Sequence, residues 1–182
     1  MSVAVPKGLK AAGVAAGIKA GGALDVALIV ADPGSIGGAV FTVNSAAAAP
    51  VRLSRKHLSA TNAVRAIVLN SGGANAATGE QGAAAAVAMA DQVAKAIDCD
   101  PTQVLVCSTG TIGSQLPLDE VLAGIDAAAE TLAAGPAASA LAAEAIMTTD
   151  SVSKQASYAV SYTHLRAHET AMNISYAVFC LK

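Results

Sequence analysis

The chain has 182 residues, of which 54% are hydrophobic and about a quarter are alanine, and its formal net charge is −2. Only 13% of the residues are charged, without an excess of basic ones, so the composition excludes a basic nucleic-acid-binding protein and argues against a disordered chain. No uninterrupted apolar run is long enough for a membrane span, and three cysteines without a CxxC pair predict a reducing, cytoplasmic setting.

The first sixty residues predict short extended segments. Residues 6–22 are rich in glycine and alanine, which predicts loop and extended structure. The apolar run VALIVA at 26–31 ends in a DPG sequence, a pattern typical of a strand followed by a turn. The β-branched and aromatic residues of GAVFTVN at 38–44 predict a second strand that forms a hairpin with the first. Residues 49–53 then indicate a short third strand, and residues 54–58 a short helix.

From residue 65 onwards, predicted strands alternate with predicted helices. Short apolar runs that end in glycine-rich breaks predict buried strands at residues 65–70 and 103–107. Longer alanine-rich stretches predict helices at residues 80–97, 118–132 and 136–146. This alternation, added to an antiparallel N-terminal part, favours layers of sheet and helix, α/β or α+β, over a helical bundle.

Two polar, glycine-rich segments follow predicted strands, where α/β folds place their chemistry. The loop NSGGANAATGEQG at 70–82 precedes a helix and matches no nucleotide-binding fingerprint. Its backbone N–H groups suit an anion, and its glycines equally suit close packing of the backbone, so the residues leave both interpretations open. The segment STGTIG at 108–113 places a glycine after a threonine at a strand end, which suits an oxyanion hole or a plain strand exit.

The remaining polar candidates favour structural roles. The segment MTTD at 147–150 either binds a ligand or only ends a helix, and the helix end is the favoured interpretation. His57 has no partner ligands near it in the sequence, so no zinc site or other metal site is predicted. Cys107 lies on an apolar strand and is predicted to be a core residue. Asp119 and Glu120 are predicted to form the acidic first turn of a helix.

Several short motifs become specific when they are read together in chain order. They are PKG at 6–8, AAGVAAGIK at 11–19, AVFT at 39–42 with Asn44, APV at 49–51, the loop at 70–82, CSTGTIG at 107–113 and AIMTTD at 145–150. On these motifs the chain resembles the bifunctional glutamate N-acetyltransferase (ornithine acetyltransferase) family of arginine biosynthesis, over about residues 4–157.

The resemblance implies an enzyme that transfers acetyl from N-acetylornithine to glutamate, and in some members also from acetyl-CoA, a substrate on which the sequence does not decide. It implies autocatalytic cleavage into α and β chains, after which the N-terminal threonine of the β chain is the nucleophile and carries the acetyl group. By match to the family motifs, Thr109 and Gly110 form the oxyanion hole and Thr148 binds substrate. No resident cofactor is implied.

The resemblance also implies the fold and the assembly. The expected fold is α+β, a layered αββα-type sandwich of the self-cleaving ornithine acetyltransferase and aminopeptidase superfamily, incomplete in this fragment. The expected partners are N-acetylornithine, glutamate and the β chain of the same precursor, in a heterotetramer of two α and two β chains. Neither nucleic acid nor a membrane is an expected partner.

Two departures from the family pattern bear on these expectations. Gly73 stands where the family usually has a second asparagine, so one side-chain amide is missing from the loop. The lysine-containing segment and the Ala-Thr cleavage site that follow MTTD in the family are not found in this sequence. Residues 160–182, which include SYTHLRAHE and ISYAVFCL, instead resemble a translated sequencing adapter. We therefore expect residues 1–159 to be a truncated α-chain-like part and residues 160–182 to be non-native.

Three functional hypotheses follow. The first is an acetyltransferase part that is inactive alone because it lacks the nucleophilic threonine. The second is a small-molecule or anion-binding module that uses the 70–82 loop. The third is a related self-cleaving aminopeptidase of similar fold.

Overall fold

The computed structural model of the chain describes residues 6–156, which form one four-stranded sheet with helices on both of its faces. The strands are β1 (Leu9–Val14), β2 (Val26–Ala31), β3 (Ala66–Gly73) and β4 (Val104–Thr111), and the helices are α1 (Ala49–Ala60), α2 (Gly79–Ile97), α3 (Leu118–Glu130) and α4 (Pro136–Ala145). This mixture confirms the α+β class. The predicted adapter-derived segment at 160–182 lies outside the described residues.

The strand order in the sheet follows the order in the chain, β1-β2-β3-β4. β1 pairs antiparallel with β2, and β2 pairs antiparallel with β3. β3 and β4 are parallel, which requires a crossover, and α2 provides it. The carboxyl ends of β3 and β4 therefore meet at one end of the sheet.

Helices α2 and α3 cover one face of the sheet. Met89 and Val93 of α2 and Ile125 of α3 are fully buried against Val68 and Val106 of the central strands. Each of these burials stabilises the fold by about 1.5–3 kcal/mol. The predicted helices at 80–97 and 118–132 are thus confirmed within two residues at each end.

Helix α4 covers the opposite face, and it lies unusually close to β1. A Cβ atom on Gly13 would lie only 2.2 Å from the carbonyl oxygen of Leu141, so the helix backbone approaches this strand where the strand has no side chain. Ala142 and Ala145 of α4 pack against Ala11 on the same face. Small side chains on both elements permit this contact.

Helix α1 lies along the outer edge of β4, and it corrects the prediction of a strand at 49–53 and a shorter helix at 54–58. The structure has one helix over Ala49–Ala60, with Pro50 in its first turn, where proline favours helix initiation. Ser54 Oγ donates to the carbonyl of Val106 (2.9 Å) and accepts from the N–H of the same residue (2.8 Å). His57 Nδ1 lies 2.8 Å from the carbonyl oxygen of Val104. These contacts satisfy backbone groups that an edge strand otherwise leaves exposed.

The predicted strand at 38–44 is also wrong. These residues are not assigned to a strand, and Val40 and Val43 are almost completely exposed. Both edges of β2 are already occupied, by β1 on one side and β3 on the other, so a hairpin with 38–44 has no place to form. The true partner of β2 is Leu9–Val14, within the segment that the sequence predicted as loop and extended structure.

Candidate active site

The STG motif lies at the carboxyl end of β4, directly beside the NSGG segment of β3. The parallel register pairs Ser71 with Thr109 and Gly72 with Gly110. Thr109 is half-buried and Gly110 is exposed. The two glycine-rich breaks that the sequence singled out are therefore neighbours at one end of the sheet.

Gly110 is required at its position for two independent reasons. Its φ angle is +130°, a conformation that residues with a side chain rarely adopt. A Cβ atom there would also lie 2.4 Å from the carbonyl carbon of Gly72 and 2.7 Å from the nitrogen of Gly73. The backbones of the two strand ends thus touch, and the register of the pair becomes irregular at Gly73.

The outer edge of β4 continues beyond the part that α1 covers. Val106 directs its N–H and C=O towards Ser54 of α1, on that outer edge. Backbone groups alternate in direction along a strand, so Ser108 and Gly110 direct theirs to the same outer edge. This geometry presents backbone donors to a reacting group that approaches from outside the sheet, which is what an oxyanion hole requires.

The side chain of Asn70 fixes the carboxyl end of β3, on the inner side of β4. It is fully buried, and its Nδ2 donates to the carbonyl of Gly73 across the irregular turn (2.9 Å). Its register partner on β4 is Ser108. Asn70 Oδ1 and Ser108 Oγ are buried and accept no hydrogen bond from any group within residues 6–156. The hydrogen bond from Asn70 to Gly73 holds the Gly72–Gly73 backbone against Gly110.

A buried carboxylate organises the connection between β1 and β2. Asp25 has no exposed surface, and its Oδ1 accepts from the N–H of Ala16 (2.6 Å). Its Oδ2 accepts from the N–H groups of Ile18 (2.7 Å) and Lys19 (2.9 Å). The folded connection packs against the site, because a Cβ atom on Gly72 would lie 2.8 Å from Ile18 Cγ2.

Two side chains tie the end of α4 to this same region. Ser71 Oγ donates to the carbonyl of Ala145 (2.5 Å), and Lys19 Nζ donates to the carbonyl of Met147 (2.6 Å). Thr148, the predicted substrate-binding residue, follows directly and is exposed. Because Ser71 is the register partner of Thr109, the structure places the STG and MTTD motifs at the same end of the sheet.

Lys19 also donates to the carbonyl of Leu24 (2.7 Å). Burial lowers the pKa of this lysine from its usual range, and the negative charges of Asp25 and Glu144 oppose that effect. Sequence reasoning assigned no role to Lys19, Asp25 or Ser71. The available signals were a lysine closing the AAGVAAGIK motif and an acidic residue directly before an apolar strand.

The loop that was considered as an anion site is held by its own side chains. Asn75 Nδ2 donates to the carbonyl of Gly82 (2.8 Å), and Thr78 Oγ1 donates to Asn75 Oδ1 (2.7 Å). Gly82 is needed because a Cβ atom there would lie 1.8 Å from Thr78 Oγ1. Glu80 adds a negative charge to the first turn of α2. These contacts support the structural interpretation of the loop.

Other titratable candidates lie outside this site. Burial raises the pKa of the Cys107 thiol to about 11, which suits the predicted core residue and not a nucleophile. His57 binds the edge of β4 through its ring. Among residues 6–156, no three His, Cys, Asp or Glu side chains form a group able to hold a metal ion. No helix in that range is both apolar and long enough to span a bilayer.

Comparison with known proteins decides the family. A family model described as the ArgJ family matches residues 10–174. The chain belongs to the ArgJ family. The arginine biosynthesis bifunctional protein ArgJ of Bifidobacterium longum is 53% identical over 156 residues, which cover 85% of this chain and 40% of that protein. The chain spans 36–40% of the length of the first curated ArgJ relatives it matches.

Two solved structures of ArgJ-type proteins share the fold. The ornithine acetyltransferase of Mycobacterium tuberculosis, solved in complex with ornithine, superposes with a TM-score of 0.79 and 45% identity, covering 83% of this chain and 81% of that chain. The ArgJ protein of Bacillus halodurans also superposes with a TM-score of 0.79, at 34% identity, covering 84% of this chain and 78% of that chain. The fold is thus shared with ArgJ proteins.

Proposed function

We propose that this chain is the oxyanion-hole part of an N-acetyltransferase that moves acetyl from N-acetylornithine to glutamate. The observation that carries the proposal is that the STG and MTTD motifs lie at the same end of the sheet. The exposed Gly110 lies at the outer edge of β4, and Ser71 of the neighbouring strand donates to the carbonyl of Ala145 at the end of α4. The MTTD segment follows directly, and Lys19 donates to the carbonyl of its Met147. Membership of the ArgJ family supports the reaction class.

The proposed reaction has two acyl-transfer steps. The hydroxyl oxygen of the β-chain threonine bonds to the acetyl carbonyl carbon, and its proton passes to the amine of the same threonine. The carbonyl oxygen becomes an oxyanion, which accepts hydrogen bonds from the hydroxyl group of Thr109 and the N–H of Gly110. The C–N bond then breaks, the proton moves to the departing amine, ornithine leaves, and the acetyl group remains as an ester on the threonine. The amine of glutamate attacks this ester in the same way, and N-acetylglutamate leaves.

Thr148 is proposed to bind the ornithine part of the donor substrate. It is exposed directly after the carbonyl that Lys19 holds, so its hydroxyl is available at the end of the sheet. The Mycobacterium tuberculosis relative was solved with ornithine bound, which supports a ligand of this class. The assay below also tests acetyl-CoA as a second acetyl donor in the same site.

The proposal includes a partner. The nucleophilic threonine belongs to a β chain, so the chain is inactive alone and works in an assembly of two α and two β chains. Residues 160–182 are proposed to be non-native. Sequencing of the source genome tests that point, because a native continuation without SYTHLRAHE supports it and an encoded copy of these residues in place refutes it.

A hybrid protein tests the function. Residues 6–156 of this chain replace the matching segment of the Bifidobacterium longum relative, and formation of N-acetylglutamate from N-acetylornithine and glutamate is measured. We expect transfer by the hybrid and none by the 182-residue chain. Thr148→Val should raise KM for N-acetylornithine about tenfold, the loss of one substrate hydrogen bond of about 1.4 kcal/mol. Thr149→Val, a neighbouring exposed threonine, is the matched control.

The outcomes separate the alternatives. A folded hybrid that transfers no acetyl contradicts the proposal, and so does transfer by the 182-residue chain alone. A hybrid that hydrolyses peptides and transfers no acetyl indicates the aminopeptidase. Replacing N-acetylornithine by acetyl-CoA in the same assay decides whether the second donor is used.

A further inference from the structure

Lys19 joins two parts of the chain that are distant in sequence. Its ammonium group donates to the carbonyl of Leu24, five residues away, and to the carbonyl of Met147, 128 residues away. Its own backbone N–H donates to the buried carboxylate of Asp25. The residue is therefore anchored at its backbone and at the end of its side chain, and the second anchor lies one residue before Thr148.

The contact with Met147 has a clear physical basis. Helix α4 ends at Ala145, and the last carbonyls of a helix have no partner within the helix and carry a partial negative charge. Met147 lies two residues beyond that end, so the Lys19 ammonium group bonds a carbonyl beside the helix C-terminus and lies close to this partial negative charge. Here the lysine comes from the β1–β2 connection, so the end of α4 is fixed to the sheet by a side chain that α4 does not itself supply.

We propose that Lys19 is a positioning residue for substrate binding, because it fixes the carbonyl of Met147 and thereby the place of the Thr148 hydroxyl. The role assigned to Thr148 rests on the proposed function. Lys19 acts through the backbone and does not itself contact the substrate. Without its ammonium group, the Met147 carbonyl bonds to water, and the exposed segment after α4 samples several positions. The Thr148 hydroxyl then meets the substrate in only a fraction of molecules, so affinity falls while the chemistry is unchanged.

The first arm of the test needs no ligand. Amide hydrogen exchange is measured on the 182-residue chain with Lys19→Met, which keeps the aliphatic stem and removes the donors. The N–H groups of Ile146 and Met147 donate to the carbonyls of Ala142 and Glu144, so their exchange reports how firmly the chain before Thr148 is held. We expect exchange at Ile146 and Met147 to rise about tenfold, while buried amides of β2 and β3 change less than about twofold. Lys19→Arg should restore protection, since it keeps the charge and the donors. Lys10→Met, at an exposed position of β1, is the matched control.

The second arm uses acetyl transfer by the hybrid protein. Lys19→Met should raise KM for N-acetylornithine about tenfold with kcat within about twofold, and Lys19→Arg should recover most of the loss. In a Thr148→Val background, Lys19→Met should have no further effect on KM, because both changes remove the same contact.

The outcomes test the positioning role of Lys19 and the proposed acetyl transfer separately. Unchanged exchange at Ile146 and Met147 in the Lys19→Met chain overturns the positioning role. Effects of Lys19→Met and Thr148→Val on KM that simply multiply overturn it as well. A purely structural role predicts increased exchange throughout the sheet and a fall in kcat together with the rise in KM. If the hybrid transfers no acetyl, the proposed function fails, while the exchange result still decides whether Lys19 fixes the segment that leads into Thr148.

Discussion

The close approach of β3 and β4 makes Gly110→Ala the sharpest test of the site geometry. The new methyl group would lie 2.4–2.7 Å from backbone atoms of Gly72 and Gly73, and backbone atoms cannot rotate away as a side chain does. The φ angle of +130° adds conformational strain of about 1–3 kcal/mol. The overlap adds about 1–3 kcal/mol, as for overpacked core substitutions. The total, about 4 kcal/mol, is a large part of the stability of an ordinary domain.

Gly113→Ala is the matched control for this prediction. Gly113 also has a positive φ, +85°, but a Cβ atom there meets nothing within 4 Å. Its substitution should therefore cost only the conformational strain, about 1–2 kcal/mol. Urea unfolding followed by far-ultraviolet circular dichroism measures both variants. Equal losses, within about 0.5 kcal/mol, would show that the strand ends do not touch as described.

Three further predictions concern ionisable groups that the fold buries fully or in part. Asp25→Asn should lower the free energy of unfolding by about 3 kcal/mol, because an amide nitrogen cannot accept the two hydrogen bonds that Oδ2 accepts. The exposed control Asp32→Asn should change it by less than about 0.5 kcal/mol, and urea unfolding measures both variants. Alkylation of Cys107 by iodoacetamide at pH 8 should be roughly a hundredfold slower in the folded chain than that of an ordinary thiol, because a pKa of about 11 leaves little thiolate. Unfolding in urea should restore the ordinary rate. A fast reaction in the folded chain contradicts the burial of this thiol. Burial lowers the pKa of Lys19 in the folded chain below its usual value of 10.5. Between the folded and the unfolded pKa the unfolded chain therefore binds more protons, so the contribution of Lys19 to the free energy of unfolding should rise with pH. A pH profile of unfolding that is identical in Lys19→Met contradicts this.

The central elements of the fold were predictable because each contains a continuous apolar pattern. The run at 26–31 and the alanine-rich stretch at 80–97 carry their own periodicity, and both appear in the structure close to the predicted bounds. The wrong predictions are those in which strand pairing, and not local composition, decides whether a segment forms a strand. The 38–44 segment has the composition of a strand, but the two edges of β2 are taken by β1 and β3. Leu9–Val14 has weak strand character and nevertheless forms the pair.

The candidate site was predictable only in part. The STG and MTTD motifs are local patterns, so the sequence predicts roles for Thr109, Gly110 and Thr148 by resemblance. The structure shows that Thr109 and Gly110 lie at the end of β4 and that Thr148 lies in the segment after α4. The contacts that join them depend on folding. Lys19 and Met147 are 128 residues apart, and no local pattern indicates that they meet.

The central claim is that Thr109 and Gly110 stabilise the oxyanion of a covalent acetyl transfer. The most direct test is the pre-steady-state burst of ornithine release when the hybrid protein is mixed with N-acetylornithine without glutamate. Thr109→Val should slow the burst roughly 100-fold, the usual cost of one oxyanion donor, with an amplitude still equal to the number of active sites. A burst that keeps its wild-type rate in Thr109→Val would contradict the assignment, since the oxyanion would then be stabilised elsewhere.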